Sequence, residues 1–188
     1  MNDPESLHDA ILVYRRIARH GDPCRAVAQR LEPGDPRPTE QLASVFADMG
    51  DAARLAPVAD LLASSYPDRG DGPYYQATAL LLRGRAAEAA NLASRAVAAN
   101  PMSAKAQNLL GAACASTGQR DCAEAAFIAS IRLNPREPST YVNVGVFYLQ
   151  TARPEQAADA FSEALSLDPS SAAARDGFRQ TRAGRPTQ

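Results

Sequence analysis

The sequence predicts an all-α protein built from repeated helix pairs, and two observations carry this prediction. Alanine, which favours helices most strongly, supplies 39 of the 188 residues, Trp is absent, and the β-branched and aromatic residues that favour strands are few. The second observation is a period of 34 residues, on which prolines recur at Pro67, Pro101, Pro135 and Pro169. This composition excludes a β-sandwich, and a period of this length is typical of a repeat array.

The charges of the chain nearly cancel, because 21 acidic side chains balance 20 basic ones. No long-range electrostatic field would then draw the protein to nucleic acid or to an anionic membrane. No apolar stretch approaches the roughly 20 residues that a membrane-spanning helix needs. We therefore expect neither a nucleic-acid partner nor a membrane span.

Four units follow one another on this period, each with apolar or small residues spaced as on two amphipathic helices. They are residues 36–69, 70–103, 104–137 and 138–171. Gly50, Gly84 and Gly118 stand where the first helix of a unit should end, because glycine adopts the left-handed conformation of a helix C-terminus without strain. Ala152 holds this place in the last unit, so the turn there should be strained or differently shaped. Pro57 lies within the second helix of the first unit, which we expect to kink or to begin late.

The last unit has the clearest motif, and the earlier units repeat it in register. It reads Tyr141-x-x-Val144-Gly145-x-x-Tyr148, then Ala157-x-x-x-Phe161-x-x-Ala164, then Asp168-Pro169. This pattern resembles that of the tetratricopeptide repeat (TPR) family, and the resemblance extends over residues 36–171. It implies an all-α fold in which antiparallel helix pairs stack into a right-handed superhelix, a TPR-like α-solenoid.

The two ends of the chain depart from the period. Residues 1–35 are expected to form an atypical N-terminal helix pair, with His8 and His20 at its solvent edge. Residues 172–188 are expected to form a capping helix and a loose tail, in which Phe178 covers the outer face of the preceding helix. Terminal repeats are commonly atypical because they must present one face to water.

Three cysteines do not form a disulfide framework in a chain of this length. Cys114 and Cys122 are the one pair to weigh, because they lie on the two antiparallel helices of the third unit and could come within bonding reach. Two interpretations stay open: a disulfide, or two small buried thiols, which a cytoplasmic protein would keep reduced. Cys24 has no evident partner.

The resemblance also implies where a partner would bind. Ligands of this family, mostly peptides or helices of other proteins, lie in a concave groove lined by the first helix of each unit. The places that line this groove are Ser44, Tyr74, Thr78, Leu81, Lys105, Asn108, Ala112, Val142, Asn143, Val146, Leu149 and Gln150. We expect Tyr74 and Val146 to face away from the cores of their own units.

Val142, Val146 and Leu149 form an aliphatic stripe within this set. An exposed stripe with this spacing fits an apolar partner helix or a contact between two copies of the chain, as in a homodimer. The alternative is that the C-terminal segment or neighbouring side chains cover it.

One subset of the family clamps the C-terminal carboxylate of chaperones with Lys, Asn and Arg residues spread over three successive units. Lys105 with Asn108 is only a fragment of that set, and no window of three units supplies the rest. The sequence therefore does not predict chaperone binding.

The sequence lacks catalytic and metal-binding motifs such as His-Glu-x-x-His, Cys-x-x-Cys or Gly-x-Ser-x-Gly. We expect no catalytic residues, no metal site and no cofactor. The sequence predicts a non-enzymatic module that binds a peptide or helix of a partner protein, as a scaffold or assembly factor in a bacterium. The alternative is a recruiting or regulatory domain of a larger enzyme of transferase or sulfatase type.

The first residues are acidic and polar, so no export signal is evident. The cytoplasm is therefore the expected location. If the chain is a domain excised from a longer protein, a periplasmic or other extracytoplasmic location is expected instead.

Overall fold

A computed structural model describes residues 35–183 of the chain. Within this range the chain forms nine α-helices and no strand. They are α1 (Arg37–Asp48), α2 (Ala52–Ser65), α3 (Asp71–Leu82), α4 (Ala86–Ala99), α5 (Ala104–Ser116), α6 (Arg120–Leu133), α7 (Pro138–Gln150), α8 (Pro154–Leu167) and α9 (Ala172–Ala183). The expectations for His8, His20 and Cys24, and for residues 184–188, lie outside the described residues.

The chain divides into two compact units, Met1–Pro101 and Met102–Gln188, which we call the N-terminal unit and the C-terminal unit. The described part of the N-terminal unit holds α1 to α4. The described part of the C-terminal unit holds α5 to α9. In both units each helix packs against its neighbour along the chain, as expected for antiparallel helix pairs.

Several helices begin where a side chain can satisfy a free backbone N–H group. Oδ1 of Asp51 accepts a hydrogen bond from the N–H of Arg54 at 2.9 Å, at the start of α2. Oγ of Ser103 accepts one from the N–H of Ala106 at 3.3 Å, at the start of α5. Pro154 is the first residue of α8, where the N–H that proline lacks would have had no partner within the helix.

The turns between the two helices of a pair use the left-handed region of backbone space. Gly50, Gly84 and Gly118 have φ angles of 66°, 74° and 75°. Ala152 has a φ of 58° at the equivalent place, and no other residue but glycine has a positive φ in the described part of the chain. A Cβ atom in this region crowds the following carbonyl oxygen, at a cost of about 1–2 kcal/mol. The last turn therefore keeps the shape of the others and is strained.

Pro57 does not delay helix α2. The helix begins at Ala52 and continues through Pro57 to Ser65, so the late start, one of the two expected alternatives, does not occur, and the kink stays a prediction. Asp51 caps the first turn ahead of the proline and sets the start of the helix. The proline is exposed, whereas its neighbour Val58 is buried and holds the helix to the core.

The core of the N-terminal unit lies between α1, α2 and α3. Its largest buried side chains are Leu42, Phe46, Leu55, Val58, Leu62 and Tyr75. Gly72 at the start of α3 brings the backbones of α2 and α3 into contact, because a Cβ atom there would lie 2.5 Å from Cα of Ala63. Each large aliphatic side chain buried here contributes about 1.5–3 kcal/mol relative to an exposed one.

The core of the C-terminal unit is aromatic. Phe127 of α6 packs against Gly111 of α5, and Phe161 of α8 packs against Gly145 of α7. A Cβ atom on either glycine would lie 2.6 Å from the facing ring. The rings of Phe127 and Phe147 are 5.8 Å apart. The small residues of the repeat motif thus let each helix pair approach closely.

Helix α9 packs on α8 and, to a smaller extent, on α7. Its Gly177 lies directly against the ring of Phe161, and a Cβ atom there would be 2.3 Å from Cζ. Phe178 borders a cavity of about 480 Å³ together with Leu165. From the sequence, Phe178 is expected to cover the outer face of α8. At Phe161 this face is covered by Gly177, because only a residue without a side chain lets the backbone of α9 reach that ring.

Candidate functional site

Helices α5 and α7 of the C-terminal unit pack on each other and carry eight of the twelve residues that the family resemblance places in a groove. These are Lys105, Asn108 and Ala112 on α5, and Val142, Asn143, Val146, Leu149 and Gln150 on α7. We call this set of side chains the α5–α7 face. It combines residues of two successive repeats.

Asn108 and Asn143 form a hydrogen bond across the α5–α7 face. Nδ2 of Asn143 donates to Oδ1 of Asn108 at 3.1 Å, and both residues are half-buried. A side-chain amide offers two N–H donors and one carbonyl acceptor. The carbonyl of Asn143 and the NH₂ group of Asn108 therefore stay without a partner within residues 35–183. The pair presents an acceptor and donors at one point of the face.

Helix α7 has two sides that differ in burial. Val144 and Phe147 are 6% and 3% exposed and belong to the core. Val142 and Leu149 are half-buried, and Val146 is 42% exposed. The aliphatic stripe thus lies on the side of α7 that its own core uses least, with Val146 most open to solvent.

The rest of the α5–α7 face is small or polar. Lys105 and Gln150 are exposed, and Ala112, which ends in a methyl group, is half-buried. The face therefore combines one cation, three amide side chains and three larger aliphatic ones. Such a surface offers both apolar and hydrogen-bonding contacts.

The other four predicted groove residues lie in the N-terminal unit, with Ser44 on α1 and Tyr74, Thr78 and Leu81 on α3. All four are half-buried. Oγ1 of Thr78 donates a hydrogen bond to the carbonyl of Tyr74 at 2.9 Å, within the helix. The hydroxyl of Ser44 lies beside that of Tyr75. The hydroxyl group of Thr78, predicted to meet a ligand, is thus used inside the unit itself.

Tyr74 packs against the core that α1, α2 and α3 form, on the side of α3 toward the first repeat. The expectation that it faces away from the core of its own repeat, between α3 and α4, stays a prediction. Its ring meets the ring of Tyr75 edge to face, with 4.9 Å between the ring centroids. Tyr75 is 5% exposed, and burial raises the pKa of its hydroxyl group, which therefore stays protonated. The edge-to-face contact of the two rings is a favourable aromatic arrangement.

A disulfide joins Cys114 of α5 and Cys122 of α6 in the structure, with their Cα atoms 5.9 Å apart. Cys114 is buried on the core side of α5, and Cys122 is half-buried near the start of α6. The bond lies within the helix pair and outside the α5–α7 face.

Within residues 35–183, no group of three or more His, Cys, Asp or Glu side chains is placed to hold a metal ion. No helix in this range is long and apolar enough to cross a membrane.

Several solved structures share this fold. TTC0263, a thermophilic TPR protein of Thermus thermophilus, matches with a TM-score of 0.74 and 19% identity over 95% of this chain and 98% of its own. YrrB, a TPR protein with an unusual peptide-binding site, matches with a TM-score of 0.63 and 18% identity over 95% and 92%. The first TPR domain of Spaghetti (RPAP3), bound to the HSP90 peptide SRMEEVD, matches with a TM-score of 0.57 and 16% identity over 61% and 91%.

These identities are low, so the structural matches show the fold alone: an all-α, TPR-like solenoid. No curated protein matches the sequence. A sequence model of the tetratricopeptide repeat matches residues 74–121 and 116–172, which together span more than half of the chain. The chain belongs to the tetratricopeptide repeat family.

Proposed function

We propose that the α5–α7 face binds an extended segment of a partner protein, and that the protein is a non-catalytic interaction module. The hydrogen-bonded pair of Asn108 and Asn143 carries this proposal. It leaves an amide carbonyl and an NH₂ group unused, half-buried and adjacent. This is the arrangement that one peptide group of a ligand, with its own N–H and C=O, can satisfy.

An extended segment fits these groups better than a helix does. Within a helix the backbone N–H and C=O groups already bond to each other, whereas in an extended segment they need outside partners. The amide pair would bind the backbone, and the stripe of Val142, Val146 and Leu149 would receive an aliphatic side chain beside it. Burial of the exposed part of Val146 would add an apolar contribution.

The ligand we propose is therefore an extended segment with a central aliphatic residue. Binding of this kind suits a scaffold or assembly factor, and it suits equally the recruitment of a protein to a larger enzyme.

Two of the similar structures support the proposal. YrrB has a peptide-binding site, and the Spaghetti (RPAP3) domain was solved with a bound peptide. The same helix-pair fold therefore presents peptide-binding surfaces in both proteins. Their low identity transfers no residue to this chain, and the fragment of a carboxylate clamp at Lys105 and Asn108 does not favour the chaperone peptide.

Peptides selected from a random display library on the full chain test the proposal. Asn108→Ala and Asn143→Ala should each weaken the selected peptides about tenfold, which corresponds to about 1.4 kcal/mol for a lost hydrogen bond. Asn91→Ala is the matched control, since Asn91 is exposed on α4 and outside this face. The measurement is the Kd by fluorescence polarisation. Equal Kd values for all variants would refute the assignment.

N-methylation of the central peptide bond tests the contact of the ligand backbone with Asn143. Removal of that N–H should weaken binding about tenfold to the unsubstituted protein and have little further effect on Asn143→Ala. A second copy of the chain is the other occupant of the face. A protein that sediments as a dimer, and as a monomer after Val146→Arg, would assign the face to self-association and overturn the proposal.

A further inference from the structure

The N-terminal unit contains a cavity of about 360 Å³ bounded by α2, α3 and α4. It lies in the other unit from the α5–α7 face. Part of its lining is apolar, from Ala56, Ala79, Leu80 and Leu92. Its size falls in the range of small-molecule sites, which start at about 300 Å³.

The lining of the cavity differs from the equivalent places of the C-terminal unit. Two repeat lengths further along the chain, Phe147 stands at the place that Ala79 has in the N-terminal unit. Phe147 is 3% exposed and packs its ring against Phe127. The C-terminal unit therefore has an aromatic ring at the place of Ala79, and it has Ala160 at the place of Leu92, so the two units distribute their side-chain volume differently.

The same comparison shows a polar residue in place of an apolar one at two positions of the lining. Asp60 and Gln76 line it, whereas the equivalent residues of the C-terminal unit are Ile128 and Val144. Nε2 of Gln76 donates a hydrogen bond to Oδ1 of Asp60 at 2.7 Å. The carboxylate of Asp60 is thus already held by a neighbour.

Two guanidinium groups complete the lining. Arg83 donates one hydrogen bond from Nη2 to the carbonyl of Ala52 at 2.9 Å. Arg95 is exposed and makes no hydrogen bond or ion pair with the described part of the chain. With two cations and one carboxylate, the cavity has an excess of positive charge beside an apolar floor.

We propose that this cavity binds a small aliphatic carboxylate. A guanidinium group binds a carboxylate with two parallel N–H···O bonds, which makes Arg95 the anion-binding residue, with Arg83 beside it. The hydrocarbon part of the ligand lies against Leu80, Leu92 and the methyl group of Ala79. The site is separate from the α5–α7 face, so a test of carboxylate binding here does not depend on the peptide-binding proposal.

Hexanoate is the probe, and hexylammonium is its control because it has the same chain length and the opposite charge. Titration of the full chain should shift amide NMR signals of α2, α3 and α4 saturably, with a Kd of about 1 mM for a ligand of this size. Hexylammonium should cause no saturable shift. Equal binding of the two probes would show an apolar cavity only, and absence of saturation with hexanoate would overturn the proposal outright.

Two substitutions test whether hexanoate binds in this cavity, and each introduces the residue that the C-terminal unit has at the equivalent place. Ala79→Phe should fill the cavity and abolish the shifts. Arg95→Glu introduces the residue that the C-terminal unit has at the equivalent place, Glu163. Because Arg95 is exposed, the fold should tolerate this change, and hexanoate binding should weaken at least about tenfold. Glu163→Gln is the matched control and should leave the Kd unchanged. Retention of hexanoate binding by Arg95→Glu would contradict the role of that guanidinium.

Discussion

Gly177 of α9 lies directly against the ring of Phe161 in α8, so close that a Cβ atom on Gly177 would be 2.3 Å from Cζ of the ring. Gly145 of α7 approaches the same ring to within 2.6 Å by the same measure. Phe161 is 0% exposed as a result. One aromatic side chain thus connects three helices, and two glycines make the approach possible.

Gly177→Val should destabilise the C-terminal unit by about 3 kcal/mol, because the new side chain overlaps the ring of Phe161 and forces α9 away. Ala173→Val is the matched control, since Ala173 is exposed on the same helix and acquires the same side chain. Its cost should stay below about 1 kcal/mol, as expected from helix propensity alone. Thermal unfolding followed by circular dichroism measures both, and equal melting temperatures would contradict the contact.

Ala152→Gly should stabilise the protein by about 1 kcal/mol. The left-handed φ of 58° strains an alanine, and the relief exceeds the entropic cost of glycine in the unfolded chain. Gly118→Ala makes the reverse change at the equivalent turn and should destabilise by a similar amount. Opposite shifts of the melting temperature are expected; a loss of stability in both variants would show that Ala152 is not strained.

Cys114 and Cys122 should form a disulfide in the purified protein, because their Cα atoms lie at an ordinary distance for such a bond. The loop is short, so the chain-entropy contribution is about 2–3 kcal/mol. Intact mass with and without reductant should differ by two hydrogens, and identical masses would rule the bond out. The same measurement on protein trapped in the cell bears on location, since a reduced pair is expected in the cytoplasm.

Gly145→Arg and Val146→Arg should have opposite effects although the residues are neighbours. Arginine at 145 collides with the ring of Phe161 and should unfold the C-terminal unit. Val146 is already 42% exposed, so an arginine at this position should extend into solvent and the fold should persist. Peptide binding at the α5–α7 face should fall at least about tenfold. Melting temperature and Kd are measured on each variant. A folded Val146→Arg protein with unchanged Kd would remove the stripe from the binding surface.

The position of a residue in the repeat predicts only part of the environment of its side chain, and Tyr74 is an example. It lies on the first helix of its repeat, and its ring packs beside Tyr75 against the core that this helix forms with α1 and α2. Position in the repeat predicts the direction of the Cα–Cβ bond, whereas the rotamer of a large ring follows its neighbours. Val146 has a short side chain that cannot turn back toward the core, so its exposure follows from position alone.

The sequence by itself determined the all-α class, the helix pairs, the turns at the glycines and the membership of the tetratricopeptide repeat family, because each depends on residues within one repeat of 34. Proline and glycine act on the backbone locally, and apolar spacing selects the buried side of a helix without reference to the rest of the fold. Only the tertiary structure decided the bond between Asn108 and Asn143, the cavity beside Ala79 and the contact of Gly177 with Phe161. Each of these depends on distances between helices. Such distances depend on how all the side chains between the helices pack together, which no single repeat encodes.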